Sequence, residues 1–337
     1  MNQSSNPSPQ DLRIYTLTNT KGTQLQILNL GGSIFSLILK DKDGKPVNVV
    51  VGPRNAEDYI SEKYAEENKC FGASVGRYAG RISNGSFRLH GKTYELYQKN
   101  GSHLHGGLRG LHTKIWKLEG EISGTDFSLI LSCVSEEGEE GYPGRLEIKV
   151  KYTLTSKNEL IIEYAASTTE STPLNLTNHT YFNLNGKGNV SDHRLFINSE
   201  RILDTDEALR PSGDFIALKG HSKDFSEEKE INQITLDDTF VLNENANIAA
   251  SLYAPETGIE MQVETNQPSV VVYIPEGLPR SWQYQTEISD DFPSICMETQ
   301  NFPDAPNHAN FPNSILEPGE KYLNRSVFKF GIGKQNL

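Results

Sequence analysis

Residues 144–167 read GRLEIKVKYTLTSKNELIIEYAAS, and this stretch decides the fold class. Leu146, Ile148, Val150, Tyr152 and Leu154 alternate with Glu147, Lys149, Lys151 and Thr153. A period of two puts the apolar set on one face of an extended strand and the polar set on the other. The polar TSKNE then turns the chain, and ELIIEYAAS alternates again. Two such runs joined by a short polar turn read as antiparallel neighbours.

Working outward, the same signal recurs in TQLQILNL, SIFSLILKD, DFSLILSCV, GIEMQVET, SVVVYIP and SVFKFGI, with turns such as DKDGK and PETG between them. SFRLHGKTYEL, residues 86–96, predicts a hairpin across His90-Gly91. Helical periodicity is scarce, and its best candidate is the short stretch 55–60 after Pro53. No repeat of 20–50 residues is evident, and no linker-like composition follows the first ten residues. The expectation is an all-β chain, with residues 11–337 forming one large antiparallel β-sandwich domain of two big sheets. Residues 1–10 are expected to be disordered, and the charged stretch 219–230 to be a solvated loop.

The 337 residues carry 32 Lys and Arg against 44 Asp and Glu, a formal charge of −12. That balance repels phosphate backbones and argues against a nucleic-acid partner. No apolar run approaches the roughly 20 residues that span a bilayer, so no membrane association is expected. The opening MNQSSNPSPQDLRIY lacks the basic and apolar regions of a secretory signal. Cys70, Cys133 and Cys296 are odd in number and set in apolar context, and read as reduced thiols in a cytoplasmic protein. The N-x-S/T triplets at Asn84, Asn100, Asn175 and Asn178 are then incidental.

Residues 175–186, NLTNHTYFNLNG, hold four asparagines, two threonines, a tyrosine and His179. This store of neutral hydrogen-bonding groups suits a polar, uncharged ligand. His179 lies where the strand begun at Pro173 ends, and such a histidine is either structural or exposed to chemistry. Glu298 ends the apolar run SICME; it is either a satisfied ion pair or a buried base of raised pKa. Two arginines stand in GASVGRYAGRISNGSF, residues 72–87, which lacks the pattern of a phosphate loop. Arg77 and Arg81 offer fixed forks of donors, for a structural ion pair or for ligand oxygens. His103 and His105 are two apart and would share a strand face, as a metal pair does. The glutamate that a cupin-like centre wants downstream is missing, with Arg109-Gly110 in its place, so no metal site is predicted. The following glycines predict a turn that exposes His105. Asp237 and Asp238 are adjacent in LDDTF, so at most one should enter a given site.

Taken together, GRYAGRI…NGSF, HLHGG, LTNHTYFNL, LDDTF, METQNFPDAPNH and LEPGEKY resemble the aldose 1-epimerase (galactose mutarotase) family, in family order over nearly the whole chain. The resemblance implies a galactose mutarotase-like β-supersandwich and an isomerase that interconverts the α and β anomers of free aldoses. It implies His179 as general acid, Glu298 as general base, and Arg81, His105 and Asp237 as sugar-binding residues. No cofactor is implied, a structural Ca²⁺ is compatible, and the expected partner is a small sugar, with the chain a monomer or weak homodimer. Unperturbed pKa values of about 4.3 and 6.5 would give the acidic limb of a rate profile to Glu298 and the alkaline limb to His179. Three positions depart from the family pattern: Gly80 where many members have Asn, Asp238 where many have His, and Val271 where some place a sugar-contacting Gln. Two alternatives are a non-catalytic carbohydrate-binding protein and an epimerase of hexose 6-phosphates. The first would lack His179 or Glu298, and the second would need added basic groups at the mouth of its site.

Overall fold

The computed structural model describes residues 7–67, 69–244 and 247–333. The stretch that opened the reading forms the strands Leu146–Leu154 and Glu159–Thr168, paired antiparallel with Leu154 opposite Leu160. They lie within a nine-stranded sheet running from the edge strand Lys117–Ile122 to Lys229–Glu230. A seven-stranded sheet has the order Pro211–Ala217, Ser199–Thr205, Leu236–Leu242, Ser269–Ile274, Ile295–Gln300, Tyr181–Phe182 and Val50–Val51. A four-stranded sheet, Ile14–Thr18 to Pro46–Asn48, adds a further layer of pairing near the chain's start.

The alternation dictates what is buried. Leu146, Ile148, Val150 and Tyr152 of one sheet share a core cluster with Phe240, Val270, Val272, Ile295 and Met297 of the other. One face of the seven-stranded sheet is thereby committed to the core. Its opposite face carries the residues discussed below. Among the described residues the pairing is antiparallel except for the two-residue ladder of Lys187–Gly188 with Glu287–Ile288 and an isolated bridge from Tyr78 to Asn175.

The hairpin expected over 86–96 is present as Ser86–Leu89 against Lys92–Glu95, with His90 and Gly91 both at positive φ. That combination matches the twist of a tight two-residue turn. The helix candidate is a 3-10 turn, Ala56–Ile60, followed by the α-helix Glu62–Glu67. Of the ten residues expected to be disordered, 1–6 lie outside the described residues and Pro9 opens a 3-10 turn, Pro9–Asp11. The stretch 219–230 is not wholly solvated: Phe225 is buried, Lys229–Glu230 joins the large sheet, and Lys223 reaches a carboxylate described below. No helix among the described residues is long and apolar enough to cross a membrane.

Candidate active site

His179 and Glu298 meet. Glu298 stands on the strand Ile295–Gln300, whose Cys296 pairs with Tyr181. His179 precedes Tyr181 by two residues, so the same register carries its side chain toward Glu298, with Nε2 3.5 Å from Oε1. The histidine backbone is pinned as well: its N–H donates to the Ala73 carbonyl and its carbonyl accepts from Gly72 N–H, both at 2.9 Å. Its ring stacks on Tyr181 at 5.0 Å and meets the edge-on rings of His105 and Tyr273.

Both groups are buried, His179 to 6% exposure and Glu298 to 2%. Burial drives the imidazole pKa down to about 4. It drives the carboxyl well above its ordinary range, aided by the charge of Asp237 and opposed by Arg81. His179 Nδ1 and Glu298 Oε2 are buried with no hydrogen-bonding partner among the described residues. Buried polar atoms are rarely left so, and at a site they mark where a ligand supplies the missing bond.

Arg81, His105 and Asp237 surround the pair. Arg81 begins the strand Arg81–Ser83, and its Nη2 lies 3.7 Å from Asp237 Oδ2. Asp237 faces into the cleft from Leu236–Leu242, its carboxyl raised by burial, lowered by Arg81 and raised by Asp238. His105 sits at φ 53°, beyond the strand Ser102–Leu104. Its Nδ1 accepts the Gly80 N–H at 3.3 Å, which leaves the proton on Nε2 as a donor. Burial and the nearby His179 and Arg81 hold its pKa well below the ordinary range, which favours the neutral ring. The loop that follows runs so close to the chain that a Cβ on Gly106 would lie 1.8 Å from the Gly76 carbonyl oxygen. The carboxylate of Glu140 fastens the same loop by accepting the N–H groups of Leu108 and Arg109, each at 3.0 Å.

The structure corrects some expectations and decides others that were left open. His103 and His105 do not form a pair, because the left-handed turn at His105 breaks the period of two. Both ring nitrogens of His103 are spent elsewhere, on the Tyr97 carbonyl at 2.6 Å and the Tyr142 hydroxyl at 2.8 Å. Among the described residues no group of three or more His, Cys, Asp or Glu converges as a metal ligand set. Arg77 is structural: fully buried, it donates to the carbonyls of Ser135, Glu136, Pro143 and Gly144. Burial lowers its pKa to about 10.

Most amides and hydroxyls of 175–186 are already engaged, although Asn185 Oδ1 has no partner among the described residues. Asn175 bonds the backbone of Ala79 and Asn301, Thr177 the Thr299 carbonyl, and Asn178 the Gly72 carbonyl. They hold the scaffold around His179, and being buried they offer no glycan acceptor. Asp237 and Asp238 do diverge as the strand geometry requires. Asp238 turns to the other face, where Lys223 Nζ grips both its oxygens at 2.7 and 2.8 Å.

Sequence reasoning missed Tyr273 and His112, and counted Tyr181 only as one of the hydrogen-bonding groups of 175–186. Tyr273 stands directly between Asp237 and Cys296 across three paired strands, which only the register reveals. His112 is buried, with its Nδ1 unpaired among the described residues and its pKa lowered to about 4 by burial. The three cysteines are buried and none forms a disulfide. A cavity of about 620 Å³ opens elsewhere, between Phe215, Phe302, Phe311 and Arg201, and none of the five expected residues lines it. The buried imidazole and carboxyl, each with one polar atom unpaired among the described residues, rather than cavity volume, distinguish the candidate site.

The family model described as Aldose 1-epimerase matches residues 13–329. Galactose mutarotase of Homo sapiens is 35% identical over 322 residues, covering 92% of this chain and 91% of that one. Aldose 1-epimerase of Escherichia coli strain K12 is 29% identical, with 96% of each chain covered. Among solved structures, galactose 1-epimerase from Lactobacillus acidophilus NCFM superposes with a TM-score of 0.84 at 27% identity, covering 98% of both chains. A GalM/aldose epimerase homologue from C. elegans gives 0.87 at 26% identity, with 96% of this chain and 100% of that one covered.

Proposed function

Since this chain belongs to the aldose 1-epimerase family and is an isomerase, we propose that it interconverts the α and β anomers of free aldoses such as galactose and glucose, with Glu298 as base and His179 as acid. One observation carries this reading: a carboxyl and an imidazole lie 3.5 Å apart, both buried, each with one polar atom unpaired.

The chemistry asks for one base and one acid. Glu298 takes the proton of the C1 hydroxyl while His179 gives one to the ring oxygen, and the C1–O5 bond breaks. The aldehyde turns about C1–C2. Reclosure on the other face returns the O5 proton to His179 and gives the Glu298 proton to O1. The pair ends with the one proton it began with, and positioned transfer of this kind contributes about 10²- to 10⁴-fold per group. Arg81, Asp237 and the Nε2–H of His105 are the groups proposed to hold the other sugar oxygens.

The steps are proton transfers and the opening and closing of the C1–O5 bond with no change of oxidation state, so the proposed reaction needs no cofactor, and a structural Ca²⁺ would be compatible with it. A cytoplasmic setting, which the buried thiols fit, and a monomer or weak homodimer belong to the same proposal. The charge of −12 supports a neutral sugar over a hexose phosphate or nucleic acid. The test is polarimetry of freshly dissolved α-D-galactose and α-D-glucose. Rotation should relax faster with protein than in buffer, and no acceleration with a panel of common aldoses would overturn the reading.

A further inference from the structure

The register of the seven-stranded sheet fixes what stands on each side of Glu298. Thr239 pairs with Val271 and Val271 with Glu298, so all three side chains share the face that carries the site. Residues directly opposite in antiparallel strands have Cβ atoms about 4.5–5.5 Å apart. Val271 therefore flanks the carboxyl on one side, and His179 flanks it on the other. Val271 is 9% exposed, and its methyl groups make that flank apolar.

A pyranose has the matching asymmetry. Around C1, the ring neighbours O5 and C2 lie on opposite sides. With O1 at Glu298 and O5 at His179, C2 and its substituent fall on the Val271 side. Asp237 pairs with Tyr273 rather than Val271, two strands from Glu298 at about 4.8 Å per strand. Asp237 and its neighbour Arg81 thus reach hydroxyls farther round the ring.

A site that hydrogen-bonds a hydroxyl rejects the analogue lacking it, because its own polar group is left unpaired. Methyl groups impose no such penalty. We infer that this protein also epimerises aldoses without a hydroxyl at C2, the 2-deoxyaldoses, with Val271 as the residue that sets this tolerance. The inference rests on the proposed anomer interconversion and names a substrate class for it.

The experiment compares kcat/KM, each divided by the sugar's spontaneous rate, for D-galactose, D-glucose, their 2-deoxy forms and 3-deoxy-D-glucose. The 2-deoxy sugars should stay within about fivefold of their parents, about 1 kcal/mol, while the 3-deoxy sugar falls further. Parents accelerated with 2-deoxy forms more than about fivefold slower would overturn this inference alone. No acceleration of any sugar would overturn the proposed function and the inference together. In Val271→Gln the new amide should favour the parent over its 2-deoxy form by about 10-fold. An unchanged ratio in that folded variant would remove Val271 as the cause. Val271→Thr, nearly the same size, gives the same comparison if glutamine prevents folding.

Discussion

His179 Nε2 lies 3.5 Å from Glu298 Oε1, although burial pushes the imidazole toward its neutral form and the carboxyl toward its protonated form. Both shifts favour the form with the shared proton on the carboxyl, so the reactive form proposed above, with that proton on the imidazole, is the minor one. Unperturbed values of about 4.3 and 6.5 would make an ion pair only between them, with Glu298 owning the acidic limb and His179 the alkaline one, so the environment exchanges which group owns which limb of the rate profile.

Activity needs the singly protonated pair. Below its first ionisation the base is lost, and above its second the acid is lost. kcat/KM should therefore rise through a limb near pH 4, where the His179 pKa lies. It should fall only through the pKa of Glu298, raised well above the ordinary carboxyl range. A rate profile measured from pH 3 to 10 checks this, and a limb centred at the ordinary histidine value of about 6.5 would contradict it. Glu298→Gln and His179→Asn should each lower kcat by about 10²- to 10⁴-fold.

The same burial affects stability. Glu298 has a folded-state pKa above its unfolded value, so the native state binds more protons and loses stability as pH rises through that pKa. Glu298→Gln removes the buried charge. Its Tm should match the parent protein's near pH 4 and exceed it by about 2 °C or more at pH 8. Thermal melts at the two values test the sign, and a lower Tm at pH 8 would refute it.

Asp237 and Asp238 should separate cleanly. Asp237→Ala removes a group proposed to hold a sugar hydroxyl, worth about 1.5–3 kcal/mol. That is roughly 10- to 150-fold in kcat/KM. Asp238→Ala instead strands Lys223, which has no role in the proposed chemistry. It should lower stability by about 1–3 kcal/mol and change kcat/KM by less than about threefold. Steady-state kinetics beside urea unfolding distinguishes the two.

Exhaustive chelation should leave the rate unchanged, since the proposed ring opening and closing are driven by proton transfer alone. Polarimetry before and after dialysis against a strong chelator checks this. Activity lost on chelation and restored by one added ion would assign that ion a part.

The strands were legible in the sequence because their alternation is local. His179 and Glu298 could be singled out because each ends an apolar run, but their meeting depends on pairing between residues more than a hundred positions apart. Arg77 and Arg81 carry the same local signal, and only the ring of carbonyls around Arg77 separates the buried brace from the site residue. The asparagines of 175–186 misled for a related reason: composition counts donors but cannot say which are already engaged. A period of two assigned His103 and His105 to one face, and a single positive φ at His105 defeats it. Tyr273 gives no signal at all outside the register that sets it beside Asp237.

Tyr152 and Tyr164, two inward positions of the stretch first read for its alternation, reach past the hydrocarbon core. The Tyr152 hydroxyl donates to the Gly32 carbonyl at 2.5 Å, and the Tyr164 oxygen lies 2.9 Å from Ser74 Oγ and 3.2 Å from the Thr177 carbonyl. Ser74–Val75 and Thr177–Asn178 form the ladder that delivers the chain to His179. The aim of the imidazole is therefore partly inherited from the remote sheet, whose phenols act as struts under a platform. Drift among Glu147, Lys149 and Lys151 on the outer face leaves those struts untouched. Trading either phenol for phenylalanine would keep the wall intact and let the platform tilt.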